Sequence, residues 1–392
     1  MSTGYRPSLI PVNQQQQIER VLIMTVSAGE GHTRAAAAVK GQIAKHYPAA
    51  QVPVLDTFRY ASPRLEKMVL GTYLELLKVS PLLYKYLYNT SERGNPLGGV
   101  AKNEFVKIMT SITGNKLLNY IDSVNPQIIL CTHPFSLGIA ATMKKKGLIN
   151  VPVVAILTDF TVHSYWVYSG VDYYCVATEA LKSSLVEYSQ SPEQIIVTGI
   201  PIDTAFVQIQ DTERIKNELN LDLSLPTILV MGGGLGLGPL KDVVDVLSAR
   251  KDCQIVVVCG HNDGLKRQIE QTTQFIPHIH TFGFVDNIHQ LMGVADLMIT
   301  KAGGLSCSEA LALGLPLFII DPIPGQEEKN TQFLVEQGAA VEIKDNEHLQ
   351  KQIEQWFRNP QQRAKMASAS QNIGQPDAAE KVLGLIKHII CC

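Results

Sequence analysis

Short unbroken apolar runs alternate with longer amphipathic stretches along this chain, in two series. VLIMTVS (Val21 to Ser27), QVPVLD ending at Asp56, QIILCTH ending at His133, VPVVAILTD ending at Asp159, VDYYCVA and IIVTG make the first series. PTILVMGGG, CQIVVVCGH, HIHTFGF, ADLMITKAGG and LPLFIID make the second. Runs of this length, most of them rich in Val and Ile and little interrupted by polar residues, read as buried strands. Strands alternating with helical stretches specify parallel sheets, hence an α/β fold of two doubly wound domains. The first domain is expected over residues 1–205 and the second over 212–375, with a linker around Asp203 to Asp211. Residues 376–392 read as a terminal helix that crosses back to the first domain.

The alternation breaks once. From about residue 59 to 107 a helical, aromatic insertion replaces it, and a helix from about Lys102 to Val124 follows. The insertion holds eight Lys or Arg against four Glu, inside a chain whose net charge is -2. Its Leu and Tyr residues, among them Leu82, Leu83, Tyr84 and Leu87, supply apolar surface. Such a segment is suited to rest on anionic lipid; an ordinary helix covering the sheet reads the same way.

Composition narrows the classes. A length of 392 residues suits two domains, and 45% hydrophobic with 18% charged residues is a globular balance. The near-neutral charge gives no footprint for nucleic acid. Seven cysteines without framework spacing fit a reducing compartment. The first twenty residues lack the apolar core of a signal peptide. No window reaches the roughly 18 apolar residues of a membrane span, so the protein is expected in solution or on a surface.

The chemistry concentrates where strands hand over to helices, the edge at which open α/β sheets bind ligands. In ITKAGGLSCSEALALGLPLFIIDPIPGQEEKN (Ile299 to Asn330), Gly303 and Gly304 permit a tight turn and close approach. Ser306, Ser308 and Glu309 then open a helix, and Glu309 is suited to accept two hydroxyl hydrogens, as from a ribose. Gln326, Glu327 and Asn330 open the next helix and can read sugar hydroxyls. Helix dipoles alone also favour acids in a first turn. Near the N-terminus, Ala28-Gly29-Glu30-Gly31-His32 links a strand to a helix. His32 there can serve as a general base, cap the helix or meet a phosphate. His133, Asp159 and His163 stand at or just beyond other strand ends and are expected to face the same crevice. The turn from Gly232 to Gly238 can offer N–H groups to a diphosphate. It is neither a dinucleotide fingerprint nor a P-loop.

SAGEGH, THPF, TDF followed by His163 and Trp166, GIPI, MGGGLG, GFVDN, TKAGGLSCSEAL and PGQEEKN occur in that order. With them the chain resembles the monogalactosyldiacylglycerol synthase and processive diacylglycerol glucosyltransferase family, from Val21 to about Ile386. These are inverting GT-B enzymes, with two Rossmann-like domains facing a central cleft. The resemblance implies a UDP-glucose or UDP-galactose donor in the C-terminal domain, diacylglycerol in the N-terminal domain, and the insertion on anionic membrane lipid. It implies that Gly232, Gly233, Gly234 and Gly236 meet the diphosphate and Phe284 and Val285 lie near the uracil. Gly303 and Gly304 would leave room for phosphate, with Lys301 and Ser306 beside them. Glu309 would hold ribose, and Gln326 and Glu327 the sugar, with Asn330 in support. His133, His163, Trp166, Tyr84 and Lys85 are expected toward the acceptor. His32 is the expected base, with Asp159 as runner-up or orienting partner. No D-x-D occurs, so neither metal nor cofactor is expected beyond the UDP-sugar co-substrate. The expected location is peripheral, on the cytoplasmic face of a membrane. The first loop lacks the triple glycine of plant members and is more similar to bacterial glucosyltransferases, which leaves the hexose open. Transfer to another lipid acceptor, a UDP-sugar 2-epimerase and a non-catalytic nucleotide-sugar-binding membrane module are the alternatives.

Overall fold

The computed structural model describes residues 17–27, 29–62, 96–208 and 211–391. The N-terminal lobe carries strands β1 Val21–Thr25, β2 Val54–Asp56, β3 Ile128–Cys131, β4 Val153–Ile156, β5 Tyr173–Val176 and β6 Ile195–Val197, in the spatial order β2-β1-β3-β4-β5-β6. The C-terminal lobe carries β7 Thr227–Met231, β8 Gln254–Val258, β9 Ile279–Phe282, β10 Leu297–Thr300, β11 Leu317–Ile320 and β12 Ala340–Ile343, in the order β12-β11-β10-β7-β8-β9. Neighbouring strands pair in parallel in both sheets. The central strands β1, β3, β4, β7, β8, β10 and β11 are buried at every position, which is what their apolar runs require. Strand order reverses between β1 and β3 in one sheet and between β7 and β10 in the other. Each reversal leaves a crevice at the carboxyl ends of its strands.

The helices that bear on the site are α1 Glu30–His46, α2 Pro96–Val124, α3 Gly304–Ala312, α4 Gln326–Glu336 and α5 Ala378–Cys391. Helix α2 begins six residues earlier than its periodicity suggests. Gly98 and Gly99 read as breakers, yet Pro96 ahead of them supplies a residue whose fixed φ suits a first helical position. The 63–95 part of the insertion, including Tyr84 and Lys85, lies outside the described residues. No described helix is long and apolar enough to cross a membrane.

The lobes share their core. One apolar cluster takes Val26, Leu157 and Phe160 from the N-terminal lobe and Leu305, Cys307 and Leu311 from α3. Phe160 stacks on Phe333 of α4, with ring centroids 5.1 Å apart. Helix α5 returns to the N-terminal lobe, where Val382, Leu383, Ile386 and Ile390 pack with Val21, Ile23, Val39 and Ile43. The chain therefore crosses between lobes twice. The crossings touch: Gly199 has φ +86°, and a Cβ there would lie 2.4 Å from Gln375 Cβ. Only glycine suits both constraints.

Candidate active site

A cleft of about 240 Å³ opens between the lobes where the two strand-order reversals face each other. The N-terminal lobe lines it with the first turn of α1 (Glu30, Gly31, His32, Arg34) and with Thr158 and Asp159 beyond β4. The C-terminal lobe lines it with Gly232, Gly233 and Gly234 after β7 and with Lys301, Gly303, Gly304 and Ser306 after β10. Gln326 and Glu327 of α4 complete it. The lobes approach closely beside the cleft. A Cβ on Gly304 would fall 2.1 Å from the Thr158 carbonyl oxygen, so the bare glycine backbone is what allows the contact.

His32 is fixed in one tautomer. Its Nδ1 lies 2.8 Å from the Thr132 carbonyl oxygen, which can only accept, so Nδ1 carries the hydrogen. Thr158 Oγ1 is a second neighbour of that nitrogen at 2.9 Å. The lone pair therefore sits on Nε2. Burial pushes the imidazole below its usual pKa, while the Asp159 charge and the bond to Thr132 act in the opposite direction. The ring is thus a neutral proton acceptor at neutral pH, beside a carboxylate that favours the imidazolium it would become.

Asp159 is itself held from the other lobe. Its Oδ1 accepts from Asn330 Nδ2 at 3.2 Å. Asn330 is fully buried: the same Nδ2 donates to the Ala302 carbonyl at 2.9 Å, and Oδ1 accepts from the Phe160 N–H at 3.0 Å. Asn330 therefore ties two strand-end loops together and does not line the cleft.

Glu309 lies just behind the lining, 1% exposed, in the second turn of α3. The first turn of that helix has no acid, so the dipole argument does not account for Glu309. Its Oε1 is 3.2 Å from Arg34 Nη2, across the lobes. Burial pushes its carboxyl up to about 7, against the lowering influence of Arg34 and with Asp203 adding to the rise. Glu327 is different. It sits in the first turn of α4, its Oε2 accepts from the Ile323 N–H at 2.7 Å, and Lys301 Nζ is 3.7 Å away. Burial raises its pKa while Lys301 lowers it. Lys301 also faces Asp321 at 3.5 Å. Glu328 satisfies the start of α4 by accepting from the Gly325 N–H at 2.9 Å, leaving Glu327 turned to the cleft.

Several expectations need correction. Trp166 is 3% exposed and belongs to the core, because the 3-10 turn Ser164–Trp166 turns it inward. Its neighbour Tyr165 is the half-exposed aromatic, stacked on His163 at 5.0 Å. His133 and His163 do not reach the crevice. Each spends Nδ1 capping the next turn, accepting from the N–H of Phe135 and Tyr165 respectively. His133 stands edge-on behind His32 at 4.5 Å. Gly236 points away from the cleft, where a Cβ would meet the Cys259 carbonyl at 2.0 Å, so it serves loop packing. The glycine turn also opens no helix directly, since the next helix starts at Leu240. Phe284 and Val285 lie outside the lining. Phe284 stays exposed with one face stacked on His261, parallel at 4.2 Å, and His261 Nε2 is 3.2 Å from Glu30 Oε1. Glu30 and Arg34 are cleft residues that the sequence pattern does not single out, and His261 stands beside Glu30. Glu30 and Arg34 stand four apart on α1, a spacing that suggests a pair within the helix; here each reaches across instead.

Residues 32–202 match the family model described as monogalactosyldiacylglycerol (MGDG) synthase, and residues 227–382 match the glycosyltransferase family 28 C-terminal domain. A processive diacylglycerol beta-glucosyltransferase from Bacillus thuringiensis (strain Al Hakam) is 30% identical over 369 residues, covering 94% of this chain and 93% of that protein. One from Bacillus anthracis (strain CDC 684 / NRRL 3495) matches to the same extent, 30% over 369 residues. Among solved structures, the UDP-GlcNAc 2-epimerase from Neisseria meningitidis bound to UDP-GlcNAc superposes with TM-score 0.60 at 15% identity, over 93% of this chain and 99% of that one. Acinetobacter baumannii MurG superposes with TM-score 0.60 at 17% identity, over 94% and 99%. The structural likenesses establish the two-lobed GT-B fold; the sequence likeness goes further, and the chain belongs to the monogalactosyldiacylglycerol synthase and processive diacylglycerol glucosyltransferase family.

Proposed function

We propose that this protein transfers a hexose from a UDP-sugar to diacylglycerol with inversion, in the synthesis of membrane glycolipid. The observation that carries the reading is that His32, with its lone pair on Nε2, and the Gly232–Gly234 turn line one cleft from opposite lobes. A base and an anion-binding loop facing each other are what an inverting displacement needs.

In this reading the acceptor hydroxyl attacks the anomeric carbon and gives its proton to His32 Nε2 as the bond from that carbon to the diphosphate oxygen breaks. Asp159 stabilises the imidazolium. The N–H groups of the glycine turn and the Lys301 ammonium meet the charge that develops on the departing diphosphate. Gln326 and Glu327 read the hexose, and Glu309 reads the ribose. The basic, Leu- and Tyr-rich insertion holds the enzyme on the anionic cytoplasmic face of a membrane, where the second substrate resides. UDP-bound relatives of the same fold and glucosyltransferase relatives in sequence are consistent with that donor.

The test is mass spectrometry of lipids formed from diacylglycerol micelles with UDP-glucose or UDP-galactose. A β-linked hexosyl-diacylglycerol from either donor is the expected product, and the pair of reactions identifies the hexose. A UDP-sugar that changes configuration without lipid, or no lipid product from either donor, would overturn the assignment.

A further inference from the structure

Glu309 is buried with only one of its two oxygens engaged. Oε1 faces Arg34 Nη2 at 3.2 Å, whereas Oε2 is buried with no hydrogen-bond partner among the described residues. A carboxylate so placed neutralises unless a cation stands beside it. The charged groups that act on it are Arg34, from α1, and Asp203, from the segment joining the lobes, which opposes ionisation. Cys307 on its own helix is a buried thiol with its pKa pushed above the usual value, and so is uncharged. Arg34 is thus the cation that favours a charged Glu309, and it belongs to the other lobe.

We propose that Arg34 is a positioning residue for the donor: reaching across the cleft, it favours the charged form of Glu309 and aims its carboxylate, with Oε2 ready for the hydroxyl hydrogens of a nucleotide ribose. This rests on the donor assignment made above. It adds that ribose recognition is assembled from both lobes. The nucleotide meets a competent Glu309 only when the lobe carrying the His32 base is in place, so donor binding and base placement are coupled through a single turn of α1. Arg34 need not touch the nucleotide, because its effect passes through the carboxylate.

The experiment is calorimetric titration of the full-length protein with UDP-glucose in the absence of acceptor, from about pH 6 to about pH 8.5. The diphosphate diester does not titrate in that window. Wild type is compared with Arg34→Met, Arg34→Lys and Glu309→Gln. With Glu309 held at about 7, wild-type affinity should rise with pH through neutrality and then level. Arg34→Met removes a lowering influence, so the midpoint should move up by about one pH unit, with about fivefold weaker binding near pH 7 that recovers at the alkaline end. Arg34→Lys should restore most of both. Glu309→Gln should bind weakly with the midpoint near 7 lost. An Arg34→Met protein that keeps the wild-type midpoint would overturn the proposal while leaving the donor site intact. A Glu309→Gln protein that binds UDP-glucose with wild-type affinity and pH profile would instead remove the ribose assignment itself.

Discussion

His32 Nδ1 and the Thr132 carbonyl oxygen lie 2.8 Å apart, and that contact decides where the proton of the reaction can go. With Nδ1 committed, the free lone pair is on Nε2. His32→Ala should lower kcat by roughly 10²–10⁴-fold, the range for loss of a general base. UDP binding should survive, since His32 is not among the groups assigned to the nucleotide. Steady-state kinetics beside UDP calorimetry check this; unchanged kcat would rule out the base role.

The pH profile separates two groups. Burial lowers the His32 pKa, and a base works when unprotonated, so the acid limb of kcat should lie below the usual imidazole range of about 6.5. The donor-dependent kcat/KM should bend instead near 7, where Glu309 takes up its proton as pH falls. Profiles of both parameters between acid and neutral pH test this, and a common limb would contradict two separate groups.

Asn330 should matter more to the fold than its position in a polar motif suggests. Asn330→Ala strips partners from the Phe160 N–H and the Ala302 carbonyl, each buried between lobes. An unsatisfied buried group costs about 1–3 kcal/mol. Thermal or denaturant unfolding should show a loss in that range, with kcat falling as Asp159 loses its hold. A wild-type melting temperature would refute the bridging role.

Two adjacent glycines make a sharp comparison. A methyl on Gly304 would sit 2.1 Å from the Thr158 carbonyl, whereas one on Gly303 meets nothing within 4 Å. Gly304→Ala should push the lobes apart at the cleft and cost on the order of 10²-fold in turnover, the usual penalty for misplacing reacting groups by about 1 Å. Gly303→Ala should fold normally and keep its lobes together, as small-angle scattering would report. Equal effects of the two substitutions would show that close approach is not what Gly304 provides.

Membrane contact through the insertion should be electrostatic in part. Lys78→Ala with Lys85→Ala should weaken partition onto anionic vesicles by about 1 kcal/mol per charge, and raised salt should mimic the change. Vesicle flotation measures it. Equal partition onto neutral and anionic vesicles would contradict a charge-driven contact.

Strand content and lobe count were legible because apolar runs such as VLIMTVS and PTILVMGGG have no other home than the centre of a parallel sheet. The cleft was legible in part. Residues next to the tight turns, His32, Gly232 and Lys301, fall where strand ends must bring them. What stayed hidden needs the partner surface. Nothing local says that Asn330 turns inward to Asp159, or that Trp166 rather than Tyr165 is buried. Likewise Glu30 and Arg34 look like an intrahelical pair until His261 and Glu309 arrive from the opposite lobe.

The return of helix α5 has a mechanical consequence. One strand of chain between two bodies is a swivel and leaves them free to twist. Two strands side by side, pressed together where Gly199 meets Gln375, behave like the pins of a door. A pair of such connections restrains twist between the lobes more than one would, which favours the register that sets Arg34 against the Glu309 carboxylate.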